Sequence, residues 1–398
     1  MKKTLLATAI IGAMGASAAA QAATVYDQDG TKLDIYGRVV YGITTGGPDG
    51  GTSTVRSETV LDDGTVVVTE EESNVRSSGS DFIDLGSRFG FIADHEVTRD
   101  LSVFARMEFR GDADAQNTGG FDTIRNTYLG ARSDSWGSVQ AGNFDSVYYR
   151  SGDVIFDVPE NLGWEQLGGI SADSRGDAIS YSTPELSGFR AHVQAKHLSG
   201  NTNDITAGQD NSATWTTAAA VDYTINDLYM SLGYSQGKDV SDRGASYDGG
   251  SPYAAGEDLF GFFANYDVTD AFSLRFKYEE ISSKFGQDVL DTRASSSNQT
   301  VSDRAVNAEE SIMGLGATYD YGMGEVYGQY ARVDMAFDGV DDKDRWMLGG
   351  NYRFSQPMYV FAEVYQEDSG TSFDESLTDN FRSLDDEILT TVGVRYDF

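Results

Sequence analysis

The chain of 398 residues contains no cysteine. That excludes a disulfide framework, a thiolate nucleophile and cysteine-ligated metals. Histidine is almost as scarce: only His95, His192 and His197 occur. The last two lie on a regular polar strand face with no Gly-x-Ser-x-Gly elbow nearby, so an activated-serine hydrolase finds no support. No segment beyond the N-terminus approaches 18 consecutive apolar residues, so no transmembrane helix is expected. Positive charge is also in short supply. Lys and Arg total 29 against 63 Asp and Glu, for a formal charge of −34, and this argues against a nucleic-acid partner. Nothing in the composition calls for a cofactor.

What is present begins with a leader. Lys2 and Lys3 form a basic start, Leu5 to Ala16 an apolar core, and Ala20-Gln21-Ala22 a small-residue cleavage site. These are the parts of a secretory signal peptide, expected to span 1–22. Residues 23–398 then form a single unit, because all-β barrels exceed the usual length of one domain.

Period-2 alternation dominates that unit. In "TTVGVRYDF", Val392, Val394, Tyr396 and Phe398 share one face, and Thr391, Gly393, Arg395 and Asp397 the other. "FRAHVQAKH" and "FSLRFKYEE" repeat the pattern. Sixteen such segments are predicted: 33–45, 82–94, 101–110, 123–132, 137–144, 175–183, 189–197, 214–223, 228–236, 258–266, 272–280, 311–319, 325–332, 345–354, 358–366 and 388–398. Most match the ~9–11 residues of a tilted membrane-spanning strand. Connections alternate between short turns, such as "DSW" and "TIND", and long loops at about 46–81, 111–122, 145–174, 198–213, 237–257, 281–310, 333–343 and 367–387. A meander of hairpins with tight turns at one end and long loops at the other is the plan of an outer-membrane barrel.

Sixteen strands in one sheet must close, and a barrel that wide encloses an aqueous lumen that side chains cannot fill. The polar face therefore points inward and the apolar face outward. In water that outer face would be a very large exposed patch; in lipid it is required. Aromatic residues at strand ends (Tyr278, Tyr319, Tyr352, Phe354, Tyr396 and Phe398) suit interfacial girdles. The expected fold is all-β: a transmembrane, 16-stranded, antiparallel up-and-down β-barrel.

One loop breaks the rhythm. "RSGDVIFDVPENLGWEQLGGISADSR", from Arg150 to Arg175, does not alternate and carries Val154, Ile155, Phe156, Val158, Leu162, Trp164 and Leu167. A loop exposed to water would be polar. This one is expected to fold inward and pack on the barrel wall, leaving Asp153, Asp157 and Glu160 facing the water path. The acidic run "DGVDDKD" at 338–344 lacks the Gly and Glu spacing of an EF-hand. It reads as a solvated loop, with divalent bridging to lipopolysaccharide phosphates as the minority alternative.

Several stretches carry a resemblance. "ATVYDQDGTKLDIYGRVVYG", "SRFGF", "RNTYLGAR" with "WGSVQAGNFDS", "RGDAISYSTPELSGFRAHVQ" and the terminal "GVRYDF" together resemble the general (non-specific) porins of Gram-negative outer membranes. The third loop departs from that family, with "PENLGW" and "QLGG" where Pro-Glu-Phe-Gly-Gly is common. The resemblance implies homotrimers in outer-membrane lipid and lipopolysaccharide, with one pore per subunit. It implies that Tyr396 and Phe398 form the signal read by the barrel assembly machinery. It also places Arg38, Arg88, Arg125 and Arg175 in an arginine cluster facing the third loop. Fixed opposite charges across a narrow channel create a transverse field that favours small hydrophilic solutes and ions. Arginine suits this role because it remains charged at any relevant pH. Arg106, Arg110, Arg190, Lys196, Arg275 and Lys277 are read as ordinary lumen or rim charges. With eight acids and one Arg in 367–387, and eight acids and two Arg in 46–81, a mild cation preference is expected. The competing functions are a substrate-specific channel for sugars or anions and a structural barrel with a closed lumen.

Overall fold

A computed structural model describes residues 22–46, 52–60, 66–74, 79–111, 123–164, 167, 176–198, 213–237, 258–282, 309–335, 342–368 and 388–398. The expected leader, apart from Ala22, lies outside these residues, as do Arg175 and most of the long loops.

Strand β1 (Ala23–Gln28) folds back on β2 (Thr31–Gly46), β3 (Thr52–Val60) pairs with β4 (Val66–Asn74), and β5 (Gly79–Asp84) precedes β6 (Arg88–Glu96). Next come β7 (Ser102–Arg110), β8 (Thr123–Ser133), β9 (Gly137–Asn143) and the short helix α1 (Val147–Ser151). The rest of the wall is β10 (Asp177–Ser182), β11 (Phe189–Leu198), β12 (Thr214–Ile225), β13 (Leu228–Ser235), β14 (Leu259–Thr269) and β15 (Phe272–Ile281). It is completed by β16 (Glu309–Asp320), β17 (Glu325–Met335), β18 (Lys343–Ser355), β19 (Met358–Asp368) and β20 (Leu389–Asp397). Each strand pairs antiparallel with its neighbour, and β20 closes on β2 through Asp397–Thr390 against Arg38–Thr45. The result is a closed 16-stranded barrel.

The spans agree with the alternation to within a few residues, with three departures. The expected strand 82–94 is one stave broken into β5 and β6. At the break, Asp84 accepts from the amides of Gly86 and Ser87 (2.6 and 2.7 Å), and Ser87 Oγ accepts from Val40 N (3.1 Å). Gly86 has a positive φ of 101° there, a conformation that strongly favours glycine. Strand β1 is an extra arm, turned back by Asp29 and Gly30, which both have positive φ (51° and 73°) as a type I′ hairpin requires. The loop 46–81 contains the β3–β4 hairpin.

Burial is inverted relative to a water-soluble protein. On β11 the apolar Val193 is 52% exposed, whereas its neighbour Gln194 is 6% exposed. On β15, Arg275, Lys277 and Glu279 are buried while Leu274 and Tyr278 are exposed. The polar face looks into the barrel and the apolar face outward, as a lipid-facing wall demands. Tyr319, Tyr352, Phe354 and Tyr396 stand exposed at the short-turn end, and Tyr278 near the long-loop end.

Candidate functional site

The non-alternating loop folds inside the barrel. It leaves β9 and makes α1, which is capped by Ser146 Oγ accepting from Tyr149 N (3.1 Å). Val147 N donates to Gln194 Oε1 on β11 (2.9 Å). Tyr148 is fully buried over two glycines of the wall: a Cβ on Gly233 would lie 2.6 Å from its ring, and one on Gly261 would meet its hydroxyl. The 3₁₀ turn Asp153–Phe156 then buries Ile155 and Phe156 among Tyr229, Leu259, Phe263, Ile281, Ile312 and Val333. Further on, Val158 packs on Tyr327, Met347, Tyr365 and Leu389. The last anchors are polar. The amides of Glu160 and Asn161 donate to the two oxygens of Glu363 on β19 (2.7 and 3.0 Å), and Asn161 Nδ2 donates to Thr391 Oγ1 (2.7 Å). The loop therefore runs along the inner wall from β11 round to β20, which is what its apolar content demands.

The three acids predicted on this loop separate. Glu160 faces the wall at β19–β20. It accepts a bond from Tyr359 and is ion-paired with Arg395 (3.0 Å). Asp157 accepts from Tyr149 OH (2.7 Å). Burial pushes its carboxyl above the usual range, and the Tyr149 bond and the charges of Arg38 and Arg125 work against that rise. Asp153 does not face the water path as expected. It is fully buried and bonded to Lys277 Nζ of β15 (2.8 Å). The reason is local: the 3₁₀ turn that seats Ile155 and Phe156 in the wall also turns Asp153 toward it.

The predicted arginines that the structure describes lie on β2, β6 and β8. Arg38 on β2 donates to Gly86 O (3.3 Å) and lies within electrostatic reach of Arg395, Glu160, Arg125 and Asp157. Arg88 begins β6, 4.0 Å from Glu108. Arg125 lies at a register shift, where Glu108 pairs with Asn126 and Phe109 with Ile124. Such a bulge re-aims a side chain, and Arg125 stands 3.6 Å from Glu108 Oε1. The predicted Arg175 lies outside the described residues.

Two more charged residues, Glu108 and Arg395, were not singled out in the sequence, and Arg106, read there as an ordinary lumen or rim charge, joins them. Arg106 donates to Glu108 (2.8 Å) and to Tyr36 OH (2.6 Å). Glu108 is fully buried and collects Tyr36, Arg88, Arg106, Arg125 and Asn126. Arg395 is the direct partner of Glu160. Parity held a signal for each: Arg106 and Glu108 share one face of β7, and Arg395 lies on the polar face of β20. The polar-face rule did not show which lumen charges meet across the sheet. Phe398 exchanges two backbone hydrogen bonds with Gly37 (2.8 and 3.0 Å), tying the last residue to the first stave, and Tyr396 is exposed on the outer face.

With this geometry in place, the comparisons are specific. A family model described as Gram-negative porin matches residues 7–372. A "Monosaccharide porin" from Halomonas sp is 27% identical over 394 residues, covering 92% of this chain and 94% of its own. Outer membrane porin F of Salmonella typhimurium is 23% identical with both chains fully covered. Among solved structures, OmpF of Salmonella typhi in complex with daunomycin superposes with a TM-score of 0.59 at 16% identity, covering 94% of this chain and 100% of that one. An anion-selective porin from Comamonas acidovorans also gives 0.59 at 16%, covering 92% and 100%.

Proposed function

The chain belongs to the Gram-negative porin family, and from that premise we propose how its channel sorts what passes. As a member it is an outer-membrane channel for passive diffusion of small hydrophilic solutes and ions. The proposal concerns the constriction. The loop 145–174 narrows the lumen; Asp157 faces Arg38, Arg88 and Arg125 across the water path, and Glu160 is held against Arg395 at the loop's far end. The observation that carries it is the contact of Glu160 with Arg395 at 3.0 Å, on a loop anchored to the wall before and after Asp157. A transverse field there orients polar solutes and forces apolar ones to shed ordered water.

Mild cation preference, a homotrimeric assembly and a leader cleaved after Ala22 complete the proposal. So does recognition of Tyr396 and Phe398 by the assembly machinery. A solved relative in the family fold, OmpT of Vibrio cholerae, is described in a trimer form, which supports the trimer. Enzymatic activity has no place in it.

Deleting 153–167 should raise single-channel conductance in planar bilayers. Unchanged conductance in a folded barrel would remove the loop from the constriction.

A second reading is favoured by the Halomonas relative, whose name is monosaccharide porin: a channel with a preferred sugar. Liposome swelling over a size series of sugars separates the two. A smooth decline with size supports general diffusion; saturation by one monosaccharide supports the specific channel.

A further inference from the structure

Asp153, which the sequence placed on the water path, points to a part of the channel outside the transverse field. The pocket that receives it is closed to solvent. Lys277 Nζ sits between two carboxylates, Asp153 Oδ1 of the loop at 2.8 Å and Glu279 Oε2 of the same strand at 2.9 Å. All three side chains are essentially without solvent exposure. The other oxygen of Glu279 accepts from Tyr148 OH at 2.8 Å, so the loop reaches this wall pair a second time. The ring of Phe156 lies 5.2 Å from the ammonium. Room for this arrangement comes from the opposite strand. Lys277 pairs in register with Gly314, where a Cβ would lie 2.8 Å from Lys277 Cγ and 3.2 Å from the Phe156 ring.

We propose that Lys277 is the positioning residue of the constriction: a single cation whose charge lets a loop carboxylate seat beside a wall carboxylate, so that the inward loop stays latched to the wall. The inference deepens the reading of this loop as the constriction and rests on it. Its logic is the charge count. One ammonium serves two carboxylates in a site with almost no water, where an unpaired charge is costly. While the lysine is present, both acids are drawn to it and the loop is held. Without it, two acids face each other across the seam between loop and wall, and once the pH is high enough to ionise both, their repulsion drives the loop into the lumen. The apolar seat of Ile155 and Phe156 is the same in both cases, so the latch is electrostatic and its removal is reversible by charge.

The test uses single-channel recordings of the full chain in planar bilayers at alkaline pH, where both acids are ionised, with folding checked by heat-modifiable migration on SDS gels. Lys277→Met should give a several-fold rise in open-channel current noise and an altered conductance. Asp153→Asn alone should change little, because Lys277 and Glu279 then balance each other and no uncompensated charge opposes the apolar seat of Ile155 and Phe156. The decisive variant is Lys277→Met with Asp153→Asn and Glu279→Gln. Neutralising both acids removes the repulsion, and quiet parental recordings should return, which a mere packing role for the lysine stem would not produce. The latch is overturned if folded Lys277→Met records like the parent, or if the neutral triple variant is as noisy as the single one. Should Lys277→Met fail to fold, the triple variant still decides: quiet currents support the latch and noisy ones overturn it. The deletion of 153–167 separates the two levels. Raised conductance there with a parental Lys277→Met rejects the latch alone, whereas unchanged conductance rejects the constriction reading beneath it.

Discussion

Asp157 shows how one side chain sets the behaviour of the path. Its carboxyl is raised mainly by burial, and the Tyr149 bond and the charges of Arg38 and Arg125 offset part of that rise. It therefore gains its proton at a higher pH than an exposed aspartate would. On acidification its negative charge is lost earlier than an exposed aspartate's, and cation preference should fall at a pH above the ordinary aspartate range. Reversal potentials in a KCl gradient, read across pH, should show that step in the parent, and Asp157→Asn should remove it. Adding Glu160→Gln should weaken the preference further at neutral pH. An identical titration in the parent and Asp157→Asn would show that this residue carries none of the selectivity. Glu108 makes the opposite case. It is fully buried beneath Arg88, Arg106 and Arg125, so Glu108→Gln leaves a cluster of cations without their shared counter-charge. Breaking a buried ion pair in this way costs about 3–5 kcal/mol. The midpoint of urea unfolding in lipid vesicles should drop accordingly, and the variant channel should shift toward anions.

At the scale of the element, period-2 alternation decides nearly everything about the wall. Leu232 is an exposed residue in the middle of β13, paired with Val221 on one side and Phe262 on the other. Leu232→Arg puts a cation on the lipid face and should destabilise the barrel by about 2–4 kcal/mol if it sits near the bilayer midplane. Leu232→Ala should cost much less, and equal costs in vesicle unfolding would mean that this face does not meet lipid. The same alternation made the strands legible in sequence, because each of them solves the same problem of lipid on one side and water on the other. The breaks were less legible. Gly86 splits β5 from β6, and the bulge at Arg125 turns its side chain toward Glu108; both depend on cross-strand hydrogen bonding that a strand read alone does not reveal. The inward loop was legible in its placement, since its apolar residues had to lie on something. The outcome for Asp153 was not. Its partner Lys277 is distant in sequence, and among regular polar faces nothing marks one lysine as the receiver of a loop carboxylate.

For the whole molecule, two sources of selectivity act over different distances. The charges of Asp157, Glu160 and the arginines lie inside the barrel, where fixed charges close together are poorly screened. The total charge of −34 acts through water, over a longer reach. Surface charge of that kind is felt over a Debye length of about 10 Å at 0.1 M salt and only about 3 Å at 1 M. The two contributions therefore separate by ionic strength. If the loops raise the local cation concentration at the entrance, cation preference should be strong in dilute KCl and should decline toward a small residue as salt rises at a fixed gradient ratio. The residue is the share set by the constriction, and Asp157→Asn with Glu160→Gln should reduce it even at 1 M. Neutralising the acids of 367–387 should instead flatten the low-salt rise and leave the high-salt value in place. A preference that does not vary with salt would assign all of the selectivity to the constriction and none to the acidic surface, although that surface is the most pronounced feature of the composition.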